Sequence, residues 1–268
     1  MQTSNKSIHI VTGIAIACGM SIGSASAADL NSTIPIISHT PATTWDGFYT
    51  GAFAGWGWSN DDAKTTGTTS FQNLGPTIIP NSLSLSQRGF TGGITAGYNK
   101  QSGNIVYGLE GDLAYLDFDE TKSSTGVAVL GTRLETQVQH ELQFFGTLRG
   151  RLGYSLNERF MVFATGGLAF GQVNYKTSVN GVDAPNLNWS GDDKGLKFGW
   201  TLGGGGEMML TDALSIKVDG LYYDLANSKA TATGNSAVRS IGALNGIDYQ
   251  SEVDNTGGLL RVGVNYRF

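Results

Sequence analysis

Cysteine is almost absent from this 268-residue chain, with Cys18 its only copy. One thiol excludes a disulfide framework. Histidine is scarce too: beyond His9 in the leading stretch there are only His39 and His140. No G-x-S-x-G elbow and no H-x-x-H pair occurs, so the enzyme signatures that depend on them are missing, although plentiful serines leave a Ser–His–Asp arrangement open. His140 is expected to face solvent near a rim, and as a lone imidazole it is a poor basis for a metal centre. After residue 27 no apolar run approaches the roughly 18 residues of a membrane-spanning helix. Basic excess is also lacking, since the formal net charge is −5. An acidic chain has no electrostatic footprint for nucleic acid.

The N-terminus is patterned. Lys6 precedes an apolar stretch from Ile8 to Ile22, and the small-residue site Ala25-Ser26-Ala27 follows. That order is a secretory signal peptide, with cleavage expected after Ala27. Cys18 leaves with it; alternatively Ile16-Ala17-Cys18 serves as a lipoprotein-processing site and Cys18 is retained and acylated. With Lys6 gone, 16 basic residues face 22 acidic ones, net −6. Residues 28–44 lack periodicity and contain Pro35 and Pro41, which reads as a linker. Residues 45–268 form the remaining unit.

Glycine, at 39 residues, is used at about twice the usual 7%, while aromatics reach 10%. That combination argues for strands rather than disorder. Eight segments alternate between apolar and polar residues, the signature of strands with one greasy face. They run approximately over 45–59, 88–101, 105–118, 134–156, 160–175, 195–210, 214–225 and 256–268. Connections after the second, fourth and sixth are about three residues long. Those after the first, third, fifth and seventh, approximately 60–86, 120–133, 176–194 and 226–255, are long and polar. Short turns at one end and long loops at the other describe an all-β, up-and-down, eight-stranded antiparallel transmembrane barrel with short periplasmic turns and four long extracellular loops.

The last segment is the clearest. Leu260, Val262, Val264, Tyr266 and Phe268 share one parity; Leu259, Arg261, Gly263, Asn265 and Arg267 share the other. Leu142, Phe144, Leu148, Leu152 and Tyr154 likewise oppose Thr147, Arg149 and Arg151. The first and fifth segments are ambiguous in parity. The polar faces converge on an interior barely wide enough for side chains. Its expected charges are Glu110, Asp112, Glu207 and Asp219 against Arg149, Arg151, Lys217, Arg261 and Arg267, a nearly neutral set suited to pairing. Trp45, Tyr49, Trp56, Trp58, Tyr107, Tyr115, Tyr154, Trp200 and Tyr222 are expected in interfacial belts.

The strings WDGFYTGAFAGWGW (45–58), FFGTLRGRLGY (144–154), ATGGLAFG (164–171), GWTLGGGGE (199–207) and RVGVNYRF (261–268) resemble the small outer-membrane proteins of α-proteobacteria. These are porin-like surface antigens whose barrel is similar to the OmpA transmembrane domain. The resemblance implies a periplasmic N-terminus and insertion by the outer-membrane assembly machinery, with Val264, Tyr266 and Phe268 carrying the recognition. It implies a structural surface antigen set among outer-membrane lipid and lipopolysaccharide, and the missing motifs and scarce histidines lead us to expect no catalytic residues and no cofactor. A narrow diffusion pore, loop-mediated capture of haem or a host surface, and a soluble lipocalin-like calyx are the alternatives. Departures from the family pattern are Asp219 where an acidic Glu-Tyr pair is usual, Gly220 beside it, and four consecutive glycines at 203–206.

Overall fold

The computed structural model describes residues 44–67, 82–127, 133–242 and 244–268. Ala25, Ala27, Cys18 and His39 lie outside the described residues. Eight strands follow in order: β1 (Gly47–Gly67), β2 (Ser82–Ser102), β3 (Ile105–Val127), β4 (Arg133–Asn157), β5 (Phe160–Gly181), β6 (Asn188–Met209), β7 (Leu214–Gly234) and β8 (Tyr249–Arg267), with one short helix, α1 (Ser236–Ser240), between β7 and β8. Each strand pairs antiparallel with its neighbours in sequence, and β8 closes onto β1. Closure leaves no exposed edge inside a bilayer, where an unpaired backbone group costs several kcal/mol. Among the described residues no helix is long and apolar enough to cross a membrane.

The pairing register fixes the geometry. A row of outward residues climbs from Lys100 through Tyr107, Leu152, Ala164, Gly204, Gly220, Leu260 and Trp56 to Phe90. It starts and finishes on β2, ten residues higher, which is a shear of ten for eight strands and a tilt of about 40°. Gly220 and Gly204 sit side by side in that row, so the lipid face carries no side chains there. Glycines elsewhere admit neighbours: a Cβ on Gly258 would lie 2.5 Å from the Trp58 ring.

Strands of 19–25 residues are about twice the length needed to cross a bilayer. Much of what reads in sequence as loop is therefore strand, leaving the connections 68–81, 128–132, 182–187 and 235–248. On β5 the outward residues run Val162, Ala164, Gly166, Leu168, Phe170 and then Gln172, Asn174, Lys176; the inward ones run Thr165, Gly167, Ala169 and then Val173, Tyr175, Thr177, Val179. Above Phe170 the pattern inverts, because the outer face meets water and the inner face packs a core. Alternation measured against a lipid-facing apolar side fades where that inversion occurs.

A bulge between Leu142 and Phe144 also changes phase within β4. Leu142, expected on the greasy outer face, consequently turns inward and is 2% exposed. The same phase shift turns His140 inward. The ladder between β2 and β3 ends at Thr91–Leu116, while each continues upward on its other neighbour.

The lumen is layered. At the periplasmic end Trp45, Val106, Met161, Phe163 and Met209 form an apolar plug. A charged layer follows, and then an apolar one built on Phe53, Leu116, Leu142, Phe145, Tyr223 and Leu259. Above these come a polar layer around His140 and a cluster of Val138, Tyr175, Ala230 and Val253. The extracellular mouth is covered by Val238 of α1 and Ile247, packed on Leu134, Trp189 and Tyr249. Trp189 Nε1 donates to the Ile247 carbonyl at 2.9 Å, tying the cover to the wall.

Candidate functional site

Inward parity on β3, β4, β6, β7 and β8 places Glu110, Asp112, Arg149, Arg151, Glu207, Lys217, Asp219 and Arg261 in one layer, none more than 4% exposed. The register sets Glu110 opposite Arg149 and Asp219 opposite Arg261. Arg149 donates to Glu110, to Asp112 at 2.6 Å and to Thr165 Oγ1 at 2.9 Å. Arg261 donates to Asp219 through Nε at 3.1 Å and reaches Asp112 at 3.0 Å. Lys217 faces Glu207 in register yet donates across the lumen to Glu110 at 2.8 Å. Arg151 in turn donates to Glu207, which also accepts from Ser215 at 2.6 Å and Asn265 at 2.8 Å. The layer thus ties β3 and β4 to β6, β7 and β8 across the barrel.

Two arginines also stack: Arg151 lies 4.0 Å from the Phe163 ring centroid and Arg261 4.4 Å from Phe53. The guanidinium fork and its flat apolar faces suit such sandwiched positions, which a lysine would fill poorly. Four anions against four cations is neutral, the condition under which buried charges are tolerated.

Arg267 is not part of this layer. It is half-exposed at the periplasmic end, donating to the carbonyls of Thr44 and of Asp212 (2.9 Å) and lying 5.6 Å from the Trp45 ring centroid. The apolar plug fills the lumen at its level, so its side chain caps the barrel floor. Trp45 and Tyr49 are likewise corrected from belt positions: both are buried inside. Tyr49 donates to Glu110 at 2.7 Å. Its role was hidden because β1 carries aromatics on both faces, with Phe48, Trp56 and Trp58 outward and Tyr49 and Phe53 inward.

His140, expected at an open rim, is 2% exposed. Gln87 Nε2 donates to its Nδ1 at 2.9 Å, and its Nε2 lies 3.0 Å from Asn255 Oδ1. Among the described residues no group of three or more His, Cys, Asp or Glu is arranged to hold a metal. At the extracellular rim Arg133 donates to both Asp183 oxygens, and these hydrogen bonds hold the Asp183 carboxyl down at about 2. A depressed carboxyl stabilises when ionised, so this tie is complete above the ordinary Asp range and is lost as pH falls through about 2.

Val264, Tyr266 and Phe268 are exposed on the outer face. The Tyr266 and Phe268 rings meet edge-on at 5.3 Å, and the Phe268 N–H donates to the Phe48 carbonyl at 3.0 Å. Around the barrel Trp58, Phe90, Tyr115, Phe144, Phe198 and Trp200 mark the upper edge of the apolar band.

The family model for the outer membrane protein beta-barrel domain matches residues 15–268. The chain is 34% identical over 251 residues to a 31 kDa outer-membrane immunogenic protein of Brucella melitensis, covering 91% of this chain and 94% of that one. It is 29% identical over 264 residues to a 25 kDa outer-membrane immunogenic protein of Brucella abortus, covering 98% of each. The outer membrane protein OprG from Pseudomonas aeruginosa aligns in structure with a TM-score of 0.43 and 16% identity, covering 83% of this chain and 96% of that one. With its closed eight-stranded barrel and a match over nearly its whole length, the chain belongs to the outer-membrane beta-barrel protein family of the α-proteobacterial immunogenic proteins.

Proposed function

We propose that the protein is a non-enzymatic structural component and surface antigen of the outer membrane. It is a rigid pillar whose upper half stands outside the bilayer. The observation that carries this reading is the inversion of strand polarity above the aromatic edge, which makes the extracellular half a water-facing barrel with its own core. Residues 1–27 serve as the export signal, 28–44 as a periplasmic leader and 45–268 as the barrel. The assembly machinery recognises Val264, Tyr266 and Phe268. The charged layer acts as an internal brace. Its carboxylates are all partnered and out of reach of solvent, so none of this layer's acids or bases is open to a substrate. Apolar layers below and above it disfavour a diffusion pore.

Single-cysteine variants test the orientation, using a chain that carries no cysteine after residue 27. In intact cells a membrane-impermeant maleimide is expected to label Thr231→Cys, on the exposed upper wall of β7. Glu158→Cys, in the β4–β5 turn, reacts only after the outer membrane is opened, and Leu168→Cys on the lipid face reacts in neither case. Labelling of Glu158→Cys in intact cells would reverse the topology and refute the reading.

A further inference from the structure

Two asparagine–glycine pairs occur in the sequence, Asn180-Gly181 and Asn245-Gly246. Such a pair is reactive in an unrestrained chain, because glycine leaves its backbone nitrogen with no Cβ beside it to hinder attack on the preceding side-chain carbon. The fold treats the two pairs differently. Gly181 N–H donates to the Leu187 carbonyl at 2.9 Å, and the Asn180 side-chain oxygen accepts from Asn188. A Cβ on Gly181 would lie 2.3 Å from the Ala184 carbonyl oxygen, so the connection between β5 and β6 hems in the backbone there. Both reacting groups of that pair are engaged.

Asn245-Gly246 lies in the cover over the barrel mouth and has none of these restraints. Both residues are exposed, Gly246 has a φ of +80°, and a Cβ built on it would meet nothing within 4 Å. Among the described residues the Asn245 side chain has no hydrogen-bond partner and the Gly246 N–H no acceptor. Only the Asn245 N–H is held, by the Ile241 carbonyl at 3.0 Å. The cover is anchored on either side of the pair, by buried Val238 before it and buried Ile247 after it. The two aspartate–glycine pairs, which cyclise by the same route, are locked as well: the Asp46 carboxylate accepts from the Gln101 N–H, and the Asp219 carboxylate from Arg261 at 3.1 Å.

We propose that Asn245 is a self-modification site, at which the unrestrained tip of the cover converts to aspartate and isoaspartate. The Gly246 nitrogen gives up its proton to solvent hydroxide and attacks Asn245 Cγ. The new C–N bond forms, the Cγ–Nδ2 bond breaks, and the nitrogen leaves as ammonia with a proton returned by water. The five-membered imide then takes up one water. Opening at Cγ gives aspartate; opening at the main-chain carbonyl gives isoaspartate, in which the chain runs through Cγ. The sum is one asparagine and one water consumed, and one carboxylic acid and one ammonia formed. Either product adds a negative charge to the cover. Isoaspartate also inserts a methylene into the main chain two residues before Ile247, whose carbonyl holds Trp189 at 2.9 Å. The mouth of an aged molecule thus differs from that of a new one by a charge and a backbone link. The chemistry is indifferent to which side of the membrane the mouth faces, so it does not depend on the orientation that the maleimide labelling tests.

The test uses the full-length mature protein with its native sequence, refolded in detergent and held in mildly alkaline buffer. A second sample is held unfolded by denaturant in the same buffer. Peptide mapping by mass spectrometry, with fragmentation that separates aspartate from isoaspartate, follows both asparagines over time, and gel migration before and after boiling checks that the first sample stays folded. In the folded protein Asn245 is expected to convert at least about tenfold faster than Asn180, whose Gly181 N–H must first leave its hydrogen bond. In the unfolded sample the two are expected to convert at similar rates, and isoaspartate is expected beside aspartate at both. Equal rates at Asn245 and Asn180 in the folded protein overturn the site. The same excess at Asn245 in denaturant overturns it too, since neighbouring sequence rather than the fold would then set the rate. Aspartate without isoaspartate at Asn245 overturns the imide route and the proposal with it.

Discussion

Arg149→Leu is expected to destabilise the folded barrel by about 3–5 kcal/mol, the cost of removing one partner from a buried ion network. Arg149 is the node at which Glu110, Asp112 and Thr165 meet, and its side chain is fully buried. Without it the layer carries four carboxylates against three cations, and Glu110 keeps only Lys217, Arg151 and Tyr49. No water enters to compensate, because apolar side chains close the layer on both sides. The measurement is denaturant unfolding in lipid vesicles, followed by tryptophan fluorescence. Lys100→Gln, which removes the exposed pair with Asp46, is the comparison and is expected to cost well under about 1 kcal/mol. Should Arg149→Leu fail to fold, Arg149→Lys keeps the charge but not the fork, and is expected to fall between the two. Equal midpoints for Arg149→Leu and Lys100→Gln would show that the charged layer does not brace the barrel.

The second large effect is on delivery to the membrane. Deleting Phe268 is expected to remove most of the protein from the outer membrane of growing cells while leaving refolding in detergent nearly intact. The folded barrel loses little: one backbone hydrogen bond to Phe48, worth about 1 kcal/mol, and an exposed ring whose stacking partner is Tyr266. A terminal outward aromatic that contributes so little to the folded state is suited to being read before folding is complete. Surface labelling and fractionation measure the outcome. Normal surface amounts of the truncated chain would sink the assembly role of Val264, Tyr266 and Phe268.

Strand number, order, closure and the eight interior charges were legible because the membrane band imposes strict alternation between lipid and lumen. Where that contrast disappears, so does the signal. Lys176 and Ser178 read as loop because the outer wall had become polar, yet Tyr175, Thr177 and Val179 beside them are buried in the interior. Leu142 and His140 were misplaced by a single extra residue in β4, a phase change that no local propensity announces. Tyr49 was hidden among aromatics on both faces of β1. Arg267 shared the parity of Arg261 but lies at the level of the apolar plug, below the charged layer, and parity carries no information about depth. The cross-lumen partners, Lys217 with Glu110 and Arg261 with Asp112, are separated by 107 and 149 residues and depend on the shear of the barrel.

The layers that fill the lumen close the barrel along its axis. Planar-bilayer recording on the purified, refolded protein is the sharpest check of that closure. The expected result is no discrete conductance above the bare bilayer, since three apolar layers and a neutral, fully paired charge layer fill the lumen. Reproducible single-channel steps from the native protein, with a conductance that changes in Lys217→Gln or Glu207→Gln, would contradict it.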